Sequence, residues 1–306
     1  MGALLATVTV AGCGAPDRSA EATQLEATLR TVPGVTSAYV TYSNGFDSGD
    51  RVSVEVSMPG ADDERVVAMV RRMNSAMGHD FDDYSRPVTI SIDDGVRVSS
   101  DGPYAADSVL RDIALARAAH RDAGAGSTTL SWIDGDPVID VDDAEDSSRA
   151  TRSATAAIGN RPGQVRVLGR PHSEQVSWTV ETPVSRAQVL KATSEVADLR
   201  IPARMVTVEN GLVSELSLDV GVDQPTYGPI ASVADRLGAE RSRPLLLSWD
   251  SSALTNDGLD ESGSVSVGGC DYSTTSRSEQ HPENYLTADA VALQKRIRER
   301  FDTCRR

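Results

Sequence analysis

The stretch "DRVSVEVSMPGADDERVVAMVRRM", residues 50–73, decides the fold. Val52, Val54, Val56 and Met58 alternate with polar residues, the period-two pattern of a strand with one covered face. Pro59-Gly60 breaks that strand. Asp62 and Asp63 supply the acceptors and negative charge that favour a helix start. Val66, Met69, Val70, Met73 and Met77 then recur at helical spacing, so a strand gives way to an amphipathic helix.

The same order returns along the chain. In "EQVSWTVETPVSRAQVLKATSEV", residues 174–196, Val176, Trp178 and Val180 alternate and Pro183 interrupts. Ser185 and Gln188 then have the spacing of a capping box, ahead of Val189, Thr193 and Val196. Weaker copies are "VTISIDDGVRVSS" before Val109, Leu110, Ile113 and Ala114, and "TLSWIDGDPVIDV" before an Ala-rich segment ending near Asn160. Two more are "MVTVENGLVSELSL" before Ile230, Val233, Ala234 and Leu237, and "LLLSWDSS" with "GSVSVGG" before the last helix. Asp94-Gly95, Asp134-Gly135 and Asn210-Gly211 suit tight hairpin turns. About six strand-strand-helix units result, with a period of roughly 40 residues.

Such units need neighbours to bury their apolar faces, and they build antiparallel sheets with helices on one face. The expected fold class is α+β, with the tandem repeats forming ferredoxin-like two-layer sandwiches. Residues 1–12 read as a leader and 13–20 as a polar tether. Unit pairs are expected over 21–124, 125–200 and 201–306, with boundaries near 122–126 and 200–202. Residues 255–263 read as a loop between the last two strands. The segment "LRTVPGVTSAYVTYSNGFDSGDRVSVEVSMP", residues 29–59, resembles the middle of heavy-metal-associated domains. Val32, Pro33, Gly34, Val35, Ala38 and Val40 match the helix-to-strand passage of that family. Its metal-binding cysteine pair is absent, so the resemblance implies the fold and not copper or zinc binding. The helix-strand-strand order also resembles envelope BON domains.

The chain has 306 residues and a net charge of −15, from 45 acidic and 30 basic residues. That field repels nucleic acid and anionic surfaces, so no nucleic-acid partner is expected, and it keeps an exported protein soluble. Lys191 and Lys295 are the sole lysines. Aromatic residues make up 4%, so Val, Leu, Ile, Met and Ala must supply the core. No apolar run approaches the roughly 20 residues that span a bilayer.

The N-terminus carries a second resemblance. Ala3 to Val10 is small and apolar apart from Thr7 and Thr9. Val10-Ala11-Gly12-Cys13 follows, and then a polar stretch without hydrophobic pattern. These four residues match in order the lipobox of bacterial lipoproteins of a high-GC Gram-positive type: an apolar residue, two small ones and a cysteine. Small residues there let a signal peptidase approach the backbone. Only Met1 and Gly2 precede the run, where that family carries Lys or Arg. The resemblance implies cleavage before Cys13, lipid (diacylglycerol with palmitate-type acyl chains) on that residue, and anchoring to the outer face of the cell membrane.

Export implies oxidising surroundings, where Cys270 and Cys304 are expected to form a disulfide. Leu293, Ile297, Phe301 and Cys304 share one helical face, which directs the thiol toward the sheet carrying Cys270. The bridge would contribute about 3–4 kcal/mol in the chain-entropy description. Two sulfurs without CxxC spacing make a poor metal site.

Catalytic signatures are missing. HExxH, GxSxG, SxxK, the P-loop and GxGxxG do not occur. His79, His120, His172 and His281 are scattered and read as loop or helix residues. Triads assembled from distant segments leave no such signature, so an extracytoplasmic hydrolase stays as the alternative. Asp134, Asp136, Asp140, Asp142 and Asp143 offer the hard oxygen ligands of Ca²⁺, and so calcium-dependent adhesion, but in the wrong order for an EF-hand. The plainer reading is a hairpin turn at Asp134-Gly135 and a charged helix start over 142–146. Trp132, Trp178 and Trp249 occupy alternating strand positions. Trp132 and Trp249 hold similar places in their repeats ("LSWID", "LSWDS"), which points to architecture.

Lys295, Arg296, Arg298, Arg300, Arg305 and Arg306 make the last helix basic. They serve either an anionic lipid or wall polymer, or the helix dipole. The expected role is a non-catalytic binding or scaffolding module without cofactor. Its lipid is held by the membrane, and its partner is an envelope protein or polymer.

Overall fold

A computed structural model describes residues 17–45, 49–122, 124, 126–170, 175–221, 226–251, 259–269 and 281–302. Along the chain run α1 (Ser19–Arg30), β1 (Ser37–Gly45), β2 (Gly49–Ser57), α2 (Asp63–Met77), β3 (Val88–Asp93), β4 (Val96–Ser100) and α3 (Ala106–His120). Next come β5 (Ser127–Ile133), β6 (Asp136–Ala144), α4 (Ser147–Ile158), β7 (Gly163–Gly169), β8 (Ser177–Thr182) and α5 (Arg186–Ala197). The last elements are β9 (Ala203–Glu209), β10 (Leu212–Asp219), α6 (Tyr227–Leu237), β11 (Leu245–Asp250), β12 (Gly263–Val267) and α7 (Ala288–Phe301). Among the described residues, α1 thus precedes six strand-strand-helix units.

The chain packs as two compact units. The first holds the described chain up to Asp94 together with Val98–Arg111. The second holds Gly95–Arg97 and the described chain from Asp112 onward. The connections at 124/125 and 200/201, where sequence suggests boundaries, both fall inside the second unit.

In the first unit the opening stretch behaves as its pattern dictates. Val54 and Val56 of β2 pair antiparallel with Val40 and Ala38 of β1, and parallel with Val88 and Ile90 of β3. Asp62 caps α2 by accepting the Arg65 backbone N–H at 2.9 Å. The helix buries the stripe read from sequence, Val66, Met69, Val70, Met73 and Met77. Leu25 and Leu29 of α1 complete the core. Each such side chain, fully buried, stabilises by about 1.5–3 kcal/mol relative to exposure.

In the second unit strand order follows chain order from β5 to β12. Hairpin partners are antiparallel, and strands linked by a helix are direct parallel neighbours: β6 with β7, β8 with β9, β10 with β11. The expected ferredoxin-like antiparallel sandwich is corrected here, because a split β-α-β module places another strand between the helix-linked pair. Two hairpins turn through residues with positive φ, Asp134 and Asn210 (both 52°), each followed by glycine. The 142–146 helix start is also corrected. Strand β6 runs on to Ala144, and α4 begins at Ser147, capped by Asp146. In α5 the Ser185–Gln188 capping box forms as read.

Cross-strand registers carry one apolar face through the whole of this sheet. Leu130, Ile139, Val165, Val180, Val208, Leu216, Leu247 and Val265 all lie on it and are buried. Helix α4 packs on β6, β7 and β8 and against α5, and α7 packs on β12 and against α6. An Arg236–Asp198 ion pair (3.0 Å) joins α6 to the end of α5. The helices therefore cover the same face. The crossovers through α4, α5 and α6 start from strands of alternating direction, yet advance the same way and return over one face. They must alternate in hand, against the general preference for the right-handed form. The polar alternation explains it: only one side of these strands is apolar enough to receive a helix.

Candidate functional site: the uncovered face of the sheet

The other face of the second unit's sheet has no helix on it among the described residues. Its central row follows from the registers: Thr129, Asp140, Arg166, Thr179, Thr207, Glu215, Leu246 and Ser266, one from each strand from β5 to β12. Ile133, Leu168 and Met205 stand on the same face and, with Leu246, are exposed. Seven large hydrophobic side chains are exposed among the described residues. Four are these, and a fifth, Tyr39, lies on the corresponding face of β1 in the first unit. The pattern is not the random scatter expected of single surface hydrophobics.

The charges on this face are mostly negative. Arg166 pairs with Asp140 across β6 and β7 at 2.6 Å, and Arg204 pairs with Asp250 at 3.2 Å. Asp136, Asp142, Glu181, Glu209, Glu215 and Asp219 form no ion pair among the described residues. Glu215 accepts a hydrogen bond from the Thr207 hydroxyl at 3.1 Å. Burial raises the Asp140 carboxyl above the usual carboxylate range, opposed by Arg166 and assisted by the repulsion of Asp142. The surface is flat, acidic and dotted with aliphatic side chains, a combination suited to contact with a cationic macromolecule.

The acidic run read from sequence lies along this hairpin. Asp136, Asp140 and Asp142 project from one face of β6, while Asp134 occupies the turn. They are strung out, and no group of three His, Cys, Asp or Glu side chains among the described residues comes together to hold a metal ion.

The histidines stay apart from one another. His79 is almost wholly exposed beside Asp82 (2.8 Å), and His281 lies 3.4 Å from Glu283. His120 meets the Thr128 hydroxyl at 3.1 Å. Cys13, His172, Cys270, Cys304, Arg305 and Arg306 lie outside the described residues, and with them the lipidation site and the disulfide. In the first unit, burial and then the Tyr42 hydroxyl, 3.5 Å away, push the Tyr84 phenol up to about 12.

Three of the four described cations read from sequence on the last helix, Arg296, Arg298 and Arg300, are engaged within the protein, while Lys295 is exposed. Arg300 grips both oxygens of Asp235 at 2.7 and 2.8 Å, and Arg296 stacks on Tyr227 with 4.1 Å to the ring centroid. Arg298 donates to the Ser264 carbonyl at 2.9 Å. No described helix is long and apolar enough to cross a membrane.

The uncovered face had a signal in the sequence. A strand that keeps polar residues at every second position through repeat after repeat announces a side that no helix will cover. The aliphatic exceptions at Ile133, Leu168, Met205 and Leu246 then mark where that side departs from plain solubility. Fold and site together define a mixed α/β repeat protein with one open sheet face. Compared with known proteins, the chain matches no protein-family model, no curated protein and no solved structure.

Proposed function

We propose that this chain is a non-catalytic binding or scaffolding module of the cell envelope, held at the outer face of the membrane by lipid on Cys13. Its contact surface is the open sheet face of the second unit. Its partner is a basic protein segment that alternates cationic with aliphatic side chains. The observation that carries the reading is the grouping of Ile133, Leu168, Met205 and Leu246 on a face whose carboxylates outnumber its arginines. Carboxylates steer and orient a cationic segment, while the aliphatic side chains supply the buried area.

A short peptide alternating arginine and leucine is the probe, with a glutamate-leucine peptide as its counterpart. The basic peptide is expected to bind and to weaken with added salt. The double change Leu168→Ser and Met205→Ser should cost about tenfold in affinity. Equal binding of both peptides, or unchanged binding by the double variant, overturns the reading. The anchor is tested separately, by mass spectrometry of the membrane fraction: an acylated N-terminal Cys13 is expected, and a mature chain keeping residues 1–12 removes it.

A further inference from the structure

We infer that Glu26 and Arg30 of α1 form a latch on the outer edge of β1 in the first unit. The latch closes that edge against antiparallel pairing with the same edge of a second copy of this chain. It is independent of the cationic partner proposed above, which contacts the second unit.

Strand β1 is long for an edge. Its register with β2 is unbroken over nine residue pairs, and no strand lies on its other side among the described residues. Val52 and Val54 of β2 turn their N–H groups away from β1, to the carbonyls of Ser85 and Pro87. The odd-numbered residues of β2 therefore bond toward β1, where their partners Ser37, Tyr39, Thr41 and Ser43 bond inward. The even-numbered residues of β1, from Ala38 to Asn44, turn their backbone groups outward. Proteins usually blunt such an edge with a charge, a proline or a bulge. The strand "SAYVTYSNG" has none of the three.

Side chains of α1 stand in for the missing strand. Glu26 Oε2 accepts the Val40 backbone N–H at 2.9 Å, and Arg30 Nε donates to the Ala38 carbonyl at 3.2 Å. The two side chains are themselves paired one helical turn apart, Arg30 Nη2 to Glu26 Oε1 at 2.7 Å. One acceptor and one donor, locked together, thus meet one donor and one acceptor of the strand. Arg30 also reaches around the rim. Its guanidinium carbon lies 6.0 Å from the ring centroid of Tyr39, which is exposed on the side opposite buried Ala38. In the second unit, main chain closes the end of β12 instead: Val267 bridges Asp302, and the Gly268 N–H donates to the Phe301 carbonyl. The excluded occupant is a second copy, because β1 carries no charge to repel its own image in a chain of net charge −15. A two-fold antiparallel pair also satisfies both edges at once.

The test combines sedimentation velocity on the full chain with the exchange rate of the Val40 amide, followed by NMR. The parent chain is expected to stay monomeric at micromolar concentration, with slow Val40 exchange at every concentration. The double change Glu26→Ala and Arg30→Ala should sediment increasingly as a dimer as concentration rises. Its Val40 amide should exchange about tenfold faster than the parent's when dilute, and slow again on dimerisation. Alanine keeps the helix, and the two side chains are 26% and 54% exposed, so the fold is retained. Glu26→Ala alone repeats the measurement with the smaller change. Adding Val40→Pro to the double variant fills the outward position without removing a hydrogen bond to β2, and should restore the monomer. A double variant that stays monomeric, a dilute Val40 amide as slow as the parent's, a dimer that survives Val40→Pro, or a parent chain that dimerises through β1 overturns the inference.

Discussion

Leu246 and Leu247 are chain neighbours on β11, yet Leu247 is 0% exposed under the helices and Leu246 is 37% exposed on the other side. The sheet carries that contrast along its whole width in the second unit. On the covered face, apolar burial drives assembly, and every position is constrained by close packing. On the open face the same backbone carries polar rows, where an aliphatic side chain adds little to stability. The comparison teaches that the fold is held from one side of these strands, which leaves the other side free for the contact proposed above.

The hardest blow to the comparison would come from Leu247→Ala, which should cost about 2–5 kcal/mol in urea unfolding. A cost near zero would mean that the helices do not seal that face. Next, Asp112→Ala leaves the Trp132 indole N–H without the acceptor it has at 3.1 Å, and about 1–3 kcal/mol should be lost. An unchanged urea midpoint would show that water replaces the carboxylate.

A smaller effect follows from Asp140. Because burial raises its carboxyl in the folded chain, the proton is held more tightly folded than unfolded. The stability linked to this group is fully present below the ordinary carboxylate range and is lost as pH rises through the raised value. Unfolding midpoints between about pH 3 and 6 should show this loss. Asp140→Asn should remove it, and an identical pH profile in both chains would assign the dependence elsewhere. The smallest effect belongs to Leu246→Ala, expected within about 0.5 kcal/mol of the parent chain. A larger loss would show that the open face is covered in solution.

Local structure was largely legible in the sequence. The α2 stripe from Val66 to Met77, the Ser185–Gln188 capping box and the Asp134-Gly135 and Asn210-Gly211 turns all depend on neighbours within a few residues. Strand order was less so. A ferredoxin-like arrangement and a sequential one use the same hairpins, and differ in where the strand after each helix docks. The Gln294 bond to the Ser264 backbone N–H could have been suspected from one residue. Gln294 interrupts the apolar face of α7 between Ala290 and Ile297, where a polar side chain needs a reason to be buried. The different surroundings of the Trp132 and Trp249 indoles were not legible, since both lie in matching "LSW" contexts.

The alternation of hand has a consequence for how such a chain can grow. Strand polarity returns to its starting value after two repeats, so the true translational step is a pair. Excising 163–202, which holds β7, β8 and α5, would deliver β9 to β6 pointing the wrong way and force everything downstream to turn over. Excising 163–244 brings β11 to β6 in register with the original direction. Length variation by duplication or loss in this architecture is therefore quantised in even numbers of repeats.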